Sequence, residues 1–288
     1  MSYNTGTDPT LAELITASFI PPKYSKDIVM HTQSNLVVGN HVRKDVIKGL
    51  EYGYVHYFPV FDEAATSEVT PGTEPTPVDG ANATPKSITV NKWRQQTHEI
   101  SRMSKIQSFA DYFAAASKSQ AYTIAKKVDT DLGALFSALS SGSIYGADGQ
   151  EFTADIFTDL VEDLDENDVP DDGMRALIGD PSTRRDIIKN CPEFIRTDYV
   201  REPVVPTGKI GRLLNVTVAI TNNLTTAGTG NYGALLHPEA IGLAIQADPF
   251  THLDNLQWKF ITRLTTEIIY GVGELRDTFG KAFYTRKT

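Results

Sequence analysis

Two strand-like runs bracket residues 62–86, a Thr-, Pro-, Ala- and Gly-rich stretch that holds Pro71, Pro75, Pro77 and Pro85. Proline fixes φ and removes a backbone donor, so this stretch is neither a helix nor a central strand. The run before it is Tyr54, Val55, His56, Tyr57, Phe58, Pro59, Val60 and Phe61; after it, Ile88 and Val90 alternate with polar neighbours, and the pattern continues through Trp93, Thr97, Glu99 and Ile100. Period-two alternation on both sides of a turn-rich segment predicts one long hairpin over 53–100. A tip of this length without regular structure is uncommon inside a compact domain unless it is disordered or engages a partner. Binding is the expectation carried forward.

The 288 residues, 40% of them hydrophobic, suffice for a packed core. Residues 1–35 open polar and pass through Leu11, Leu14, Ile15 and Phe19 before Pro21 and Pro22 forbid helix continuation. So few apolar side chains make no core, and the segment reads as an extended arm whose apolar side lies on its own body or on a neighbouring chain. Residues 108–140 carry Phe109, Phe113, Ala116, Ile124, Val128, Leu132, Leu135, Phe136 and Leu139 at spacings of mostly three or four. That predicts one helix of roughly 45 Å, a strut for an elongated subunit or the central helix of an ordinary domain.

Beyond it the pattern alternates. A helix is expected over 154–165, with Phe157, Leu160, Val161 and Leu164 on one side, then a Pro-containing acidic turn over 165–173 and a strand over 175–179. Pro181 starts a short helix through Ile187 and Ile188; strands follow at Val216, Val218 and Ile220 and from Tyr232 to Leu236. Residues 257–270 read as a long strand, followed by Gly271, Gly273 and a last strand ending at Phe283 and Tyr284. The fold class is α+β, with no repeat or linker separating the pieces.

Charge and cysteine content exclude several functions. The 27 Lys+Arg against 36 Asp+Glu leave a formal charge of −9, a poor footprint for neutralising many phosphates. Cys191 stands alone, which rules out an internal disulfide and a cysteine zinc cage and points to a reducing compartment. No basic region precedes an apolar core near the start, and Glu13 and Thr16 interrupt the 11–20 run, so neither secretion nor a membrane anchor is expected.

Chemistry-bearing patterns are few. Gly228-x-Gly230-x-x-Gly233 has dinucleotide spacing, but Tyr232, Gly233, Ala234, Leu235 and Leu236 continue as a strand where a phosphate cradle needs a helix N-terminus, so a hairpin turn is expected. Asp163, Asp165, Asn167 and Asp168 imitate the start of a calcium loop, yet Asp168 stands where glycine is needed and Met174 where glutamate is. The six histidines form no His-Glu-x-x-His or i, i+4 pair, and there is no Gly-x-Ser-x-Gly elbow or Walker loop. The expectation is a chain without catalysis, cofactor or metal, with Cys191 as a packed residue beside Pro192.

In order, these elements resemble the major capsid proteins of tailed bacteriophages with the Hong Kong phage capsid fold. The likeness spans nearly the whole chain. Its most specific local pieces are Leu164-Asp165-Glu166-Asn167-Asp168-Val169-Pro170 with the strand 175–179 and Asp180-Pro181, and Thr265-Thr266-Glu267-Ile268-Ile269-Tyr270-Gly271 with the closing residues 273–285. The resemblance implies an N-terminal arm (1–35), an extended loop (53–100), a peripheral domain (36–52, 101–153 and 254–288) that includes a spine helix (108–140), and an axial domain (154–253).

It further implies hexamers and pentamers closing into an icosahedral virion shell around double-stranded DNA, assembled in a host bacterial cytoplasm. The loop, through Tyr57, Phe58, Phe61, Pro71, Pro75, Pro77 and Trp93, would lie over an adjacent subunit, and the arm, through Leu11, Leu14, Ile15 and Phe19, would embrace another. Little stands before the arm, so the implied partners are a separate scaffolding protein, a portal protein at one vertex, a decoration protein in some shells, and DNA held by weak contacts, with Lys118, Lys126 and Lys127 as a local basic face; no membrane is implied. Crosslinking through Lys86 or Lys92, known in some members, is not expected. Three competing readings are an encapsulin-like nanocompartment shell, an α+β enzyme with a site assembled in space, and a decoration or tail protein, which would be β-rich and would not need the long helix.

Overall fold

The computed structural model describes residues 37–46, 54–61, 68–72, 83–107, 112–191 and 212–286. The arm residues Leu11, Leu14, Ile15 and Phe19 lie outside them, as do Pro75 and Pro77.

Two sheets and one hairpin organise the chain. In chain order the elements that build them are β1 (Arg43–Val46), β2 (Val55–Phe61), β3 (Ala83–Thr89), β4 (Lys92–Ser101), α1 (Arg102–Gln107), α2 (Tyr112–Gly133), β5 (Ile144–Tyr145), α3 (Ala154–Glu166), β6 (Ala176–Gly179) and α4 (Pro181–Asn190). They continue with β7 (Arg212–Leu213), β8 (Val216–Ile220), β9 (Thr226–Ala227), β10 (Gly230–Leu236), β11 (Ile241–Leu256), β12 (Ile261–Glu274) and β13 (Gly280–Arg286). The four-stranded sheet has the order β1-β11-β12-β4; the larger sheet runs β5-β13-β10-β6-β8-β7, with β9 beside β10.

The long helix α2 lies on the four-stranded sheet. Ala116, Gln120, Ile124 and Leu132 are buried, a spacing of four or a multiple of it that lines one helix face. Gln120 is the polar exception, and it is satisfied: its Nε2 donates to the Leu264 carbonyl at 2.8 Å and its Oε1 accepts from Thr266 Oγ1 at 2.9 Å. The helix ends at Gly133, short of the 140 expected from periodicity. A 3-10 turn, Phe136–Gly142, follows, with Ser140 and Ser141 at positive φ and the Ser141 amide bonded to Asp277 at 2.9 Å. Phe136 and Leu139 stay fully buried through that turn, so the apolar period continues where the helix does not.

Helices α3 and α4 are fixed by their caps. Thr153 accepts from the Ile156 amide at the start of α3, whose Ile156, Phe157, Leu160 and Leu164 enter the core beside Leu177, Ile178 and Phe283. Asp180, with Pro181 at the first helical position, caps α4 from inside the protein. Its oxygens accept from the Thr183 amide and hydroxyl and the Ser182 hydroxyl, each at 2.8 Å, and from Asn231 Nδ2 at 2.9 Å. Removing this carboxylate leaves several buried donors without an acceptor. Asp180→Ala is expected to cost about 3 kcal/mol, combining cap and orphaned-donor penalties; a urea midpoint unchanged from wild type would contradict that assignment.

Three long-range pairings differ from the sequence reading. The 54–100 hairpin divides: β2 pairs β3 from Val55↔Thr89 to Phe61↔Ala83, whereas β4 leaves to pair β12 from Lys92↔Tyr270 to Ser101↔Ile261. Residues 257–270 are not one strand, because Gln257–Lys259 form a 3-10 turn and Phe260 sits at φ 55°, which makes β11 and β12 two legs of a longer hairpin. The far half of β11 is exposed, and its apolar Phe250, Leu253 and Leu256 fall three apart, so it shows no period-two alternation to read. Finally β13, grouped by sequence with the spine helix, pairs β10 along seven residues from Gly230↔Arg286 to Leu236↔Gly280 and belongs to the sheet of α3 and α4. The glycine pattern is a turn, as expected: Gly228 has φ +57° between β9 and β10, and a Cβ on Gly233 would fall 2.2 Å from the Phe283 ring.

Candidate inter-subunit surfaces

The β2–β3 hairpin is rooted on the four-stranded sheet by an absence of side chains. Ile88 sits over Gly242 and Gly273, where added Cβ atoms would lie 2.6 Å and 3.0 Å from it, and a Cβ on Gly271 would lie 2.4 Å from the Thr89 carbonyl oxygen. Phe58 joins Ile88, Ala244 and Leu275 in a small apolar cluster, with the Arg43 guanidinium 5.5 Å above its ring. Phe58, assigned by sequence to a neighbour, is therefore already buried by its own chain.

Other loop residues do face outward. Tyr57 and Trp93 are 62% and 69% exposed, as is Tyr54 at the root, and the Trp93 indole donates to Glu267 at 3.0 Å. Val69 and Pro71 are exposed in the described part of the loop. Phe61 closes the β2 ladder opposite Ala83, but its side chain falls outside the described residues.

A second outward surface was missed by sequence reasoning. At the turn joining β11 to β12, Trp258 and Phe260 are 75% and 68% exposed, and Met103 and Ile106 of α1 are exposed as well. A recess of about 680 Å³ is lined by Arg102, Lys105, Ile106, Leu256 and Phe260. The available signal was Gln257-Trp258-Lys259-Phe260, two large aromatics alternating with polar residues, which reads equally as a buried strand until the left-handed Phe260 reveals a turn. A further recess of about 540 Å³, lined by Asn40, Ala121, Ile124, Leu243, Ile245 and Ile268 among others, lies between α2, the sheet and the start of the described chain.

Ionisable groups tie the surfaces to the frame. Asp131 is nearly buried against Lys127 at 2.8 Å, Lys92 at 3.0 Å and the Tyr270 hydroxyl at 2.9 Å. Burial alone would raise its pKa; bonds from Lys127, Lys92 and Tyr270 outweigh that and hold the carboxyl below its usual value. Lys127 is thus engaged in an ion pair, while Lys118 and Lys126 are exposed on α2. The acidic turn is likewise structural: Asp163 meets Lys281 at 2.9 Å and Asp165 meets Arg175 at 2.6 Å. Among the described residues no group of three or more His, Cys, Asp or Glu is placed to hold a metal. Burial, reinforced by Asp155 and Asp186, pushes the Cys191 thiol up to about 11, so it is a weak nucleophile near neutrality. No helix among the described residues is long and apolar enough to cross a membrane.

Glu274, at the end of β12 beside the hairpin root, is pushed up to about 7 by burial and by its bond to Asp277. A raised carboxyl pKa means the folded chain holds a proton that the unfolded chain releases above about 4.5, so the stabilisation is complete below that value and is lost as pH rises through about 7. Glu274 is only half-buried, and solvent screening leaves an effect of about 1 kcal/mol. Glu274→Gln should therefore flatten the unfolding midpoint between pH 5 and 7.5; a slope identical to wild type across that window would contradict the shared proton.

No family model matches the sequence, and no curated protein matches it. Solved structures do. A Mycobacterium phage Che8 structure superposes with a TM-score of 0.73 at 17% identity, covering 92% of this chain and 97% of that one. The capsid structure of cyanophage P-SCSP1u gives 0.77 at 14% identity over 100% and 97%, and the asymmetric unit of the bacteriophage PhiM1 mature capsid gives 0.71 at 13% over 93% and 92%. At identities this low and coverage this complete the likeness is one of fold, and this chain has the α+β fold of the phage capsid structures it matches.

Proposed function

We propose that the chain is the major capsid protein of a tailed bacteriophage and builds its shell by tiling with copies of itself as hexamers and pentamers. The observation that carries this reading is the near-complete two-way coverage of phage capsid structures by a chain whose protruding elements expose aromatic side chains far from its core. An exposed Tyr57, Trp93, Trp258 and Phe260 on one chain are costly unless neighbours cover them, and a lattice of modest repeated contacts does so.

Within this reading Tyr57, Pro71, Pro75, Pro77 and Phe61 belong to the loop that overlies an adjacent subunit, Trp93 meets a neighbour from β4 of the four-stranded sheet, and Phe58 anchors the loop to its own chain. Leu11, Leu14, Ile15 and Phe19 of the arm bury themselves on the body or on a neighbour, and the apolar recess beside α2, next to where the described chain begins, supports such a site. Net acidity suits a container whose DNA must slide, with weak contacts at exposed Lys118 and Lys126. A scaffolding protein, a portal and assembly in a bacterial cytoplasm complete the proposal. The structural neighbours are shell proteins, which favours a structural role over catalysis and a phage head over a nanocompartment.

Negative-stain microscopy of the chain produced in bacteria, alone and with the scaffolding protein of its own genome, tests the reading. Closed shells of phage-head size support it; particles of small uniform diameter free of nucleic acid would return the nanocompartment, and a featureless monomer in both preparations would overturn the proposal.

A further inference from the structure

We propose that Lys92, Arg94 and Lys127 form a phosphate clamp on the α2 side of the four-stranded sheet that takes the sugar-phosphate backbone of the packaged duplex. The proposal rests on the capsid reading and names the surface of the subunit that meets the genome.

Three cations converge on one carboxylate. Lys127 Nζ lies 2.8 Å from Asp131 Oδ1, while Lys92 Nζ and Arg94 Nη2 lie 3.0 Å and 3.9 Å from Oδ2. Asp131 is nearly buried and accepts from the fully buried Tyr270 hydroxyl at 2.9 Å, so the carboxylate is held in place and stays ionised. One negative charge among three positive ones leaves two uncompensated. A single lysine satisfies a carboxylate, and further half-exposed ion pairs add little to stability, so the fold alone does not account for the third cation. The Arg94 guanidinium has five N–H donors, touches Asp131 only at 3.9 Å and stays nearly half exposed. It is free to turn toward a phosphate, whose geometry it matches bidentately.

The surroundings hold no competing carboxylate on the two elements that build the clamp. Lys92, Arg94, Gln96 and His98 alternate onto the α2 side of β4, whereas Glu99 pairs with Arg263 on the other face. Residues 112–128 of α2 include Lys118, Lys126 and Lys127 and no Asp or Glu. Asp129 is engaged elsewhere, accepting from the Val37 and Gly39 amides and from Asn223. Within a chain of net charge −9 the sign is therefore reversed locally. The acidic remainder keeps attachment weak and salt-dependent, as a sliding genome requires.

Two phosphodiesters or one inorganic phosphate dianion would balance the two charges. The opening favours the polymer: β4 is an edge strand, and among the described residues no strand pairs its outer side, so a chain can cross the clamp without threading. Exposed Lys126 beside Lys127 extends the charge along α2.

Fluorescence anisotropy of a short labelled duplex with the full chain, titrated over a range of salt, tests the clamp. Arg94→Gln with Lys127→Gln should weaken binding about tenfold and lower the slope of log affinity against log salt by about two, the loss of two phosphate contacts. Asp131 keeps Lys92 and Tyr270 in that variant, so the thermal midpoint should stay near wild type. If it falls, Arg94→Gln alone carries the test, with a slope change of about one. Lys189→Gln with Arg276→Gln makes the same charge change elsewhere and should leave the slope unchanged; equal effects from both pairs would reduce DNA binding to net charge and overturn the clamp. Saturable binding of inorganic phosphate without binding of the duplex assigns the clamp to a free anion and overturns its assignment to the genome. In particles, amine acetylation read by peptide mass spectrometry should modify Lys92 and Lys127 less in DNA-filled shells than in emptied ones. Equal modification overturns the clamp and leaves the capsid reading standing, whereas a wild-type chain that never forms shells overturns both.

Discussion

A chain lacking residues 62–82, with β2 joined to β3 by an Asn-Gly turn, folds and assembles poorly. The ladder ends at Phe61↔Ala83, so a two-residue type I′ connection fits the register and the right-handed strand twist. The residues that seat the hairpin remain: Phe58 and Ile88 lie in a cluster closed by Ala244 and Leu275. The unfolding midpoint should move little, while assembly falls at least about tenfold, since each subunit loses a contact worth on the order of 1.4 kcal/mol. Sedimentation of the deletion chain beside wild type reads both quantities. Normal particles would remove the loop from the assembly mechanism.

The second large effect comes from one methyl group. Gly271→Ala places a Cβ 2.4 Å from the Thr89 carbonyl, a backbone atom in the strand that carries the hairpin, so the strand itself must move. Overpacking at a rigid backbone contact costs about 3 kcal/mol. The displacement also lifts Ile88 from Gly242 and Gly273 and uncovers Phe58. Guanidinium unfolding should show the loss, and proteolysis should cut the hairpin faster than wild type. Wild-type stability and protection would mean that the hairpin root is not held by this close approach.

Different elements of this fold were legible in the sequence for different reasons. Helices α3 and α4 could be read almost to the residue, because Thr153, Asp180 and Pro181 are local signals whose chemistry acts within four residues. The Gly228–Gly233 turn was equally local. The long helix α2 ends sooner than its apolar period because that period outlasts its hydrogen bonding, with Phe136 and Leu139 buried from a 3-10 turn. Partners distant in sequence were illegible: nothing in Lys92 to Ser101 says that it pairs with β12 rather than folding back on β2, and nothing in 280–286 assigns it to the sheet of β10.

The candidate surfaces follow the same division. Exposed Tyr57 and Trp93 were picked from a turn-rich context, yet Phe58, one residue away, points inward, since alternation gives opposite faces without saying which is outside. The surface at the β11–β12 turn escaped altogether because Arg102, Lys105 and Phe260 are brought together by the β4–β12 pairing.

Sedimentation velocity of the concentrated wild-type chain is the most direct measurement of whether it tiles. Self-tiling predicts five-fold and six-fold assemblies in exchange with far larger closed particles, their proportion rising steeply with concentration. A single small oligomer whose size does not change with concentration, salt or the presence of a scaffolding protein would contradict the central claim.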